Sequence, residues 1–301
     1  MLTNEASLVN IKKTPLFRKI EGLSERERNR IVNDHGLRGF YGMSTTKQRL
    51  ANFHKLELAK EVSRLLEEKS IQFAFIKGVS FLGDIYPDFS LRFMSDIDVY
   101  IPSSHKGELL SQTLTENDFI KREAKTWLGN AHKEEWIHQG SGVNLEVHYQ
   151  LFWHVKGWDQ DDFSFQGSEL TTLKPELHFV YLCGHYCFQH TCQKLYWLID
   201  FEFFLNKYEL NWEEVRLLAK TLRLERSVGF VMKLLDSAFE RRNPLSQGPV
   251  SFPVNDEVFL SDGLGAYSFL LKSYLKDSIS DELRYNIFWL TNLISTKVAS
   301  K

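Results

Sequence analysis

The sequence predicts an α+β protein, a small mixed β-sheet with flanking helices followed by a helical C-terminal module. Three observations lead there. Apolar and polar residues alternate with period two in Arg92–Ile101 and in Val143–His148, as in strands buried on one face. Between these stretches, Ser104 to Glu116 has the length of a helical crossover connection. Beyond Pro175 the apolar spacing is helical almost to the end of the chain. A sheet with helices packed on it, continued by a helical module, is the architecture that fits this order.

Each element has its own signal. Residues 1–70 read as helical: Ser24-Glu-Arg-Glu is a helix start, and Thr46 to Lys69 carries Leu50, Phe53, Leu56, Leu58, Val62 and Leu65 at roughly helical spacing. The period then changes. Ile71 to Ile76 is short, apolar and aromatic, as suits a buried strand, and Lys77-Gly78 closes it. A helix is expected from Val79 to about Tyr86, with Pro87 ending it. Further strands are expected near Phe119, around Glu135 to His138, and through Glu146, with Gly140-Ser-Gly142 as the turn between the last two. The helical pattern past Pro175 pauses at Asn206–Asn211 and at a Pro/Gly/Ser loop from Asn243 to Pro253. The expected division is an N-terminal helical segment 1–70, a core 71–160 and a helical module 161–301, with the second boundary between Phe152 and Pro175. The chain carries no internal repeat and no low-complexity segment.

Composition narrows the partners. With 301 residues the chain is long enough to bury a substantial core. A formal net charge of -2 gives no global attraction to nucleic acid, so a polyanionic partner must be gripped locally. The basic stretches Lys121–Lys133 and Arg216–Arg226 are interrupted by acids and read as solvated helix faces. No apolar run is long enough to cross a bilayer, and the N-terminus lacks a signal peptide's apolar stretch, so a cytoplasmic protein without a membrane partner is expected. Nothing in the sequence specifies an oligomeric state.

The chemistry concentrates in the two alternating stretches. Asp96 and Asp98 fall on one face of their strand, with Ile97, Val99 and Ile101 on the other. The second strand buries Val143, Leu145 and Val147 and turns Asn144, Glu146 and His148 the opposite way, so the three acids are expected to meet on one side of the sheet. Such a cluster repels itself unless cations enter it. Magnesium is the natural partner, because hard divalent ions prefer carboxylate oxygens and keep positions open for phosphates. Gly78 lets a phosphate approach the backbone, and a helix starting there would aim free N–H groups at it. Ser80 adds a hydroxyl donor, while Lys77 and Arg92 are candidates to neutralise phosphate charge, one as a point charge and the other with a bidentate fork.

The succession Phe75-Ile-Lys77-Gly78-Val-Ser80, Tyr86-Pro87-Asp88, Leu91-Arg92-Phe-Met-Ser95-Asp96-Ile-Asp98-Val and Leu145-Glu146-Val-His148 resembles the bacterial nucleotidyltransferase-like proteins of the DNA polymerase β superfamily. Leu182-Cys-Gly-His185 and Lys194-Leu195-Tyr-Trp197-Leu-Ile-Asp200 resemble that family's helical half, so the likeness runs in order from Ile71 to Leu205. Where the superfamily usually has Gly-Ser or Gly-Gly this chain has Gly78-Val79, and its spacing from Gly78 to Asp96 is longer than in the best-known members; Lys77-Gly78 fits the family's own variant. The resemblance implies a twisted sheet and transfer of a nucleoside monophosphate from an NTP to an acceptor, with two Mg²⁺ ions, or Mn²⁺ in their place. It further implies that Asp96 and Asp98 hold the metals, that Glu146 completes the site beside the acceptor, and that Lys77, Gly78, Ser80, Arg92 and Ser95 line the nucleotide side. The expected reaction moves a nucleotidyl group, most simply AMP from ATP, to a hydroxyl or similar group on a small molecule, peptide or protein. Two other readings stand beside it: a toxin-like transferase acting on RNA, which the balanced charge disfavours, and a silent nucleotide-binding or scaffolding module, which the retained acids disfavour.

The helical half adds two clusters. Asp200 sits in an apolar aromatic run, and a buried acid needs a partner, for which His185 and Lys194 are the candidates. These three either bridge two helices or help to hold nucleotide or acceptor. The stretch Cys183 to Cys192 contains three cysteines with His185 and His190, the residue types that bind zinc. Helical spacing puts Cys183, Cys187 and His190 on one face and His185 and Cys192 on another, so one helix cannot aim all five at one ion, and the cysteines read as small buried hydrophobes.

Overall fold

A computed structural model describes residues 10–43, 46–123, 133–152, 162–190, 192–241 and 265–278, together with 280, 282, 283 and 287. The first half contains α1 (Pro15–Glu21), α2 (Glu25–Asp34), α3 (Thr46–Glu68), β1 (Ala74–Ile76), α4 (Gly78–Phe81), β2 (Asp96–Tyr100), α5 (Glu108–Glu116), β3 (Phe119–Lys121), β4 (Lys133–His138) and β5 (Asn144–His148). The second contains β6 (Ser164–Gln166), β7 (Thr171–Leu173), α6 (Pro175–Phe188), α7 (Leu195–Lys207), α8 (Trp212–Thr221), α9 (Glu225–Phe239) and α10 (Gly265–Tyr274). None of the described helices is long and apolar enough to cross a membrane. The expected loop Asn243–Pro253 and the interior of the basic stretch Lys121–Lys133 lie outside the described residues.

Local chemistry accounts for most boundaries. Ser24 caps α2 through a reciprocal box: its hydroxyl accepts from the Glu27 N–H while the Glu27 carboxylate accepts from the Ser24 N–H. Asn211, in the expected pause, caps α8 by accepting from the Glu213 and Glu214 N–H groups. The helix expected over 79–86 is a single turn, Gly78–Phe81, because Leu82 is already extended and Gly83 turns left-handed at φ 73°. Over 104–116 the chain makes a short 3-10 turn, Ser103–His105, and the α-helix begins only after Gly107.

The residues fall into two compact units. Ala51–Leu82, Met94–Lys174 and Ser278–Lys301 form the sheet unit, and Met1–Leu50, Gly83–Phe93 and Pro175–Asp277 the helical unit. All seven described strands make one mixed sheet of order β3-β4-β5-β2-β1-β7-β6. Its centre is β2, antiparallel to β1 and parallel to β5, while β4 runs antiparallel to β5 on its far side. The apolar face of this centre, with Ile97, Val99, Leu145 and Val147, is wholly buried, as are Ala74, Phe75 and Ile76 of β1. Strands β6 and β7 extend the sheet beyond β1. The sequence gives them no signal: each has three residues, too few to establish a period, and all of β6 is exposed.

In the helical unit, α9 packs on α1, α6 and α7, and α6 also packs on α8. Aromatic side chains fill the contacts, among them Phe40 and Tyr86 against Phe203 and Phe179 against Phe201. Gly39 passes so close to the segment at Ser90 that a Cβ there would lie 2.6 Å from the Leu91 Cα and closer still to the Ser90 carbonyl oxygen. His178 is buried in α6 with its ring edge-on to Phe204, and burial pulls its imidazole down to about 3, with Asp84 only partly opposing.

Two outcomes follow for stability. Gly39→Ala must displace backbone, and a loss of about 1–3 kcal/mol is expected in denaturant unfolding; a variant as stable as the parent would contradict the close approach. For His178 the native state stays neutral where the unfolded chain, titrating near 6.5, takes up a proton. Its contribution is therefore complete above pH 6.5 and declines as pH falls toward about 3. Between pH 6 and 4 the parent's unfolding free energy should drop more steeply than that of His178→Gln by up to about 1.4 kcal/mol per pH unit.

Candidate functional site

Strand register builds the polar face of the sheet. In the parallel β2/β5 ladder Asp96 lies opposite Asn144, Asp98 opposite Glu146 and Tyr100 opposite His148. Partners in a ladder share a face, so Asp96, Asp98, Glu146 and His148 all lie opposite the buried aliphatic side. Antiparallel β4 adds Lys133 opposite His148 and Glu135 opposite Glu146. Ligand atoms of Asp98, Glu146 and His148 lie within 4.8 Å of one another, the one such group of histidine, cysteine and acids among the described residues. Asp98 and His148 are buried; Asp96 and Glu146 are half-buried.

Basic side chains hold these acids together. Lys77 Nζ lies 2.5 Å from Asp98 Oδ1, and His148 Nε2 lies 2.9 Å from the same oxygen and 3.5 Å from Glu146 Oε2. Lys133 Nζ is 3.0 Å from Glu146 Oε1 and 3.2 Å from Glu135 Oε1. Burial alone would push Asp98 up, but Lys77 and the His148 hydrogen bond outweigh it and its carboxyl sits below the usual range. Glu146 is likewise held far below that range, against burial, by His148, Lys77 and Lys133. Asp96 goes the other way: burial and the charges of Asp98 and Glu146 push its carboxyl up, opposed by Lys77 and a hydrogen bond with Ser95.

The turn after β1 presents Lys77. Its backbone is left-handed, φ 58°, a conformation that side chains with a Cβ rarely adopt, and it directly precedes α4. Gly78 and Ser80 in α4 are buried, and the Ser80 hydroxyl donates to the Lys77 carbonyl at 2.6 Å. The loop ending at exposed Ser95 leads into β2.

The remaining sequence candidates belong to the helical unit. Arg92 is 3% exposed and grips Asp200 with two forks of its guanidinium, Nε to Oδ1 at 2.7 Å and Nη2 to Oδ2 at 2.8 Å. The Tyr86 hydroxyl donates to the same carboxylate at 2.7 Å, and the guanidinium lies over the Tyr196 ring, 4.5 Å from its centre. The partner of Asp200 is thus neither His185 nor Lys194 but Arg92, 108 residues earlier in the chain, a pairing that spacing along one helix cannot reveal. Burial pushes the Asp200 carboxyl up, against Arg92 and Tyr86. His185 meets His190, Nε2 to Nε2 at 3.0 Å, and Lys194 Nζ donates to the Asp34 carbonyl at 2.6 Å.

The cysteines group differently from helical expectation, because α6 ends at Phe188 and the chain then turns. Cys192, left-handed at φ 56°, returns with its Sγ 3.6 Å from that of Cys187, and His190 faces His185 instead of the cysteines. All three cysteines are buried and free.

Three members of the sheet-face cluster, His148, Lys133 and Glu135, receive no role from the sequence alone. His148 shared the face of Glu146 by alternation, so its signal was present. Lys133 had none, since its position depends on the pairing of β4 with β5.

No curated protein matches the chain. Among solved structures it is similar to "Crystal structure of JHP933 from Helicobacter pylori", with 16% sequence identity, a TM-score of 0.37, and coverage of 82% of this chain and 99% of that one. A family model described as "Uncharacterised nucleotidyltransferase" matches residues 42–240. That span includes the whole polar face of the sheet and more than half of the sequence, and the chain accordingly belongs to this nucleotidyltransferase family.

Proposed function

We propose that the protein is a Mg²⁺-dependent nucleotidyltransferase that moves AMP from ATP to a hydroxyl group on a small molecule, peptide or protein. The observation that carries this reading is the in-register placement of Asp98 opposite Glu146, with Asp96 one strand step away on the same face, in a chain of a nucleotidyltransferase family. The donor set fits a divalent cation: carboxylate oxygens from two strands lie within 4.8 Å of each other and of an imidazole nitrogen, and a lysine ammonium sits against Asp98. Asp96, Asp98 and Glu146 would hold Mg²⁺, as two ions, or Mn²⁺. Bound there, the metal would supply cationic charge to the transferring phosphoryl group.

The chain's own groups divide the remaining work. Lys77 brings a positive charge to the acids that its neighbours cannot supply, close enough to be shared with a triphosphate. His148 has two carboxylate acceptors around Nε2, so that nitrogen carries the proton in this arrangement and ties Asp98 to Glu146. Lys133 keeps Glu146 and Glu135 side by side. A carboxylate within hydrogen-bond reach of the acceptor would take its proton as the new P–O bond to the α-phosphorus forms and the bond to the β-phosphate breaks, releasing pyrophosphate. Gly78, Ser80 and Ser95 are assigned to the nucleotide side. Arg92, Asp200, His185 and Lys194 are assigned a supporting part, since Arg92 and Asp200 already satisfy each other.

Purified protein incubated with Mg²⁺, cell extract and ATP labelled on the α-phosphate should transfer label to an acceptor. Asp98→Asn and Glu146→Gln should each reduce that transfer by about a hundredfold or more. A chelator should abolish it and added Mg²⁺ restore it. Label that appears equally with the two variants, or never appears with the parent, would remove the proposal. Asp200→Asn, by contrast, should chiefly lower stability, by about 3–5 kcal/mol in chemical unfolding, because it leaves a buried guanidinium without its counter-charge.

A further inference from the structure

A third lysine, Lys55, feels the charge of an acid on the polar face of the sheet, and it differs from Lys77 and Lys133. Lys55 lies on the buried side of α3 and is 8% exposed. Among the described residues it makes no hydrogen bond and no ion pair, and the charge that acts on it, at longer range, is that of Asp96. Lysines are almost never buried without a partner, because removing an ammonium from water is costly unless an anion or several acceptors replace the water. Lys77 and Lys133 obey that rule with Asp98 and Glu146. For Lys55 the folded chain supplies the cost and only a distant attraction in return.

A buried cation within the field of an acid of a transferase site has an anionic complement in the triphosphate. Resting on the nucleotidyltransferase reading above, we propose that Lys55 is a nucleotide-binding residue of this site, whose ammonium contacts the phosphate chain of the bound NTP. The placement gives the reason. Asp96 is shared between the proposed metal set and the environment of Lys55, so a metal-bound nucleotide at these carboxylates brings its phosphates toward the one lysine of the three that no carboxylate already holds. Lys55 sits near the middle of the 23-residue helix α3, on the same buried side as Asn52 and Leu56.

Isothermal titration calorimetry of the full-length protein in Mg²⁺ tests the assignment, with ATP, ADP, AMP and adenosine as probes against the parent, Lys55→Met and Lys55→Arg. Lys55→Met should weaken ATP by about ten- to hundredfold, the worth of one charge-assisted contact, and the ratio to parent should shrink as phosphates are removed and vanish for adenosine. Lys55→Arg should recover most of the ATP affinity. Unchanged ATP binding by Lys55→Met, or an equal loss for ATP and adenosine, overturns the proposal. Methionine removes a buried charge at similar length, so its melting temperature should not fall. If it does, the parent decides: labelling of Lys55 by an amine-reactive reagent should be slowed by ATP with Mg²⁺, and labelling at the same rate overturns the proposal. A parent that binds no ATP and transfers no label removes the transferase reading along with it, whereas a parent that binds ATP beside an unaffected Lys55→Met removes only the role of Lys55.

Discussion

The organising constraint in this protein is a repulsion. Three neighbouring strands, β4, β5 and β2, each contribute an acid to the same row of the sheet, Glu135, Glu146 and Asp98. Like charges directly across a ladder are unfavourable. The pairing survives because Lys133 stands between the first two acids, His148 between the last two, and Lys77 closes on Asp98 from the turn after β1. Behind the row, the wholly buried Ile97, Val99, Leu145 and Val147 fix the register, since a slip by one residue would carry the acids into the core and the aliphatics out. Apolar packing sets the geometry, and the polar groups tolerate it.

Buried charge is handled differently at Arg92 and Asp200. There the guanidinium fork, the Tyr86 hydroxyl and the Tyr196 ring satisfy the pair with no solvent and no vacancy of sign. One acid meets one base with matched geometry, as a permanent cross-link between distant parts of the sequence requires. On the sheet the acids outnumber the basic groups that touch them, and one of them, Asp96, is pushed up by burial and by the charges of Asp98 and Glu146. An arrangement of that kind has capacity for further positive charge, which the completed pair lacks.

Legibility from sequence followed the range of the interactions. The faces of β2 and β5 depend on alternation within five residues, so Asp96, Asp98, Glu146 and His148 could be assigned to one side before any coordinates. Caps such as Ser24 are equally local. What lay beyond reach was set by pairing between separated segments: Lys133 through the β4/β5 register, Arg92 through a partner 108 residues away, and the addition of β7 beside β1. The helix over 79–86 failed for a different reason, because apolar composition continued where Gly83 had already broken the backbone. Cys192 shows the same effect, as a helical face loses meaning once the helix has ended at Phe188.

Lys77 carries one more implication. Its left-handed backbone is a conformation that glycine adopts freely and other residues only at an energetic cost of about 1–3 kcal/mol, yet its ammonium is the group that neutralises Asp98. Main chain and side chain therefore ask for different amino acids at one position. Glycine at position 77 would release the backbone strain but strip the buried Asp98 carboxylate of its ammonium, and losing one partner of a buried ion pair costs about 3–5 kcal/mol, more than the strain relieved, so the ion pair itself keeps the turn in its unfavourable conformation.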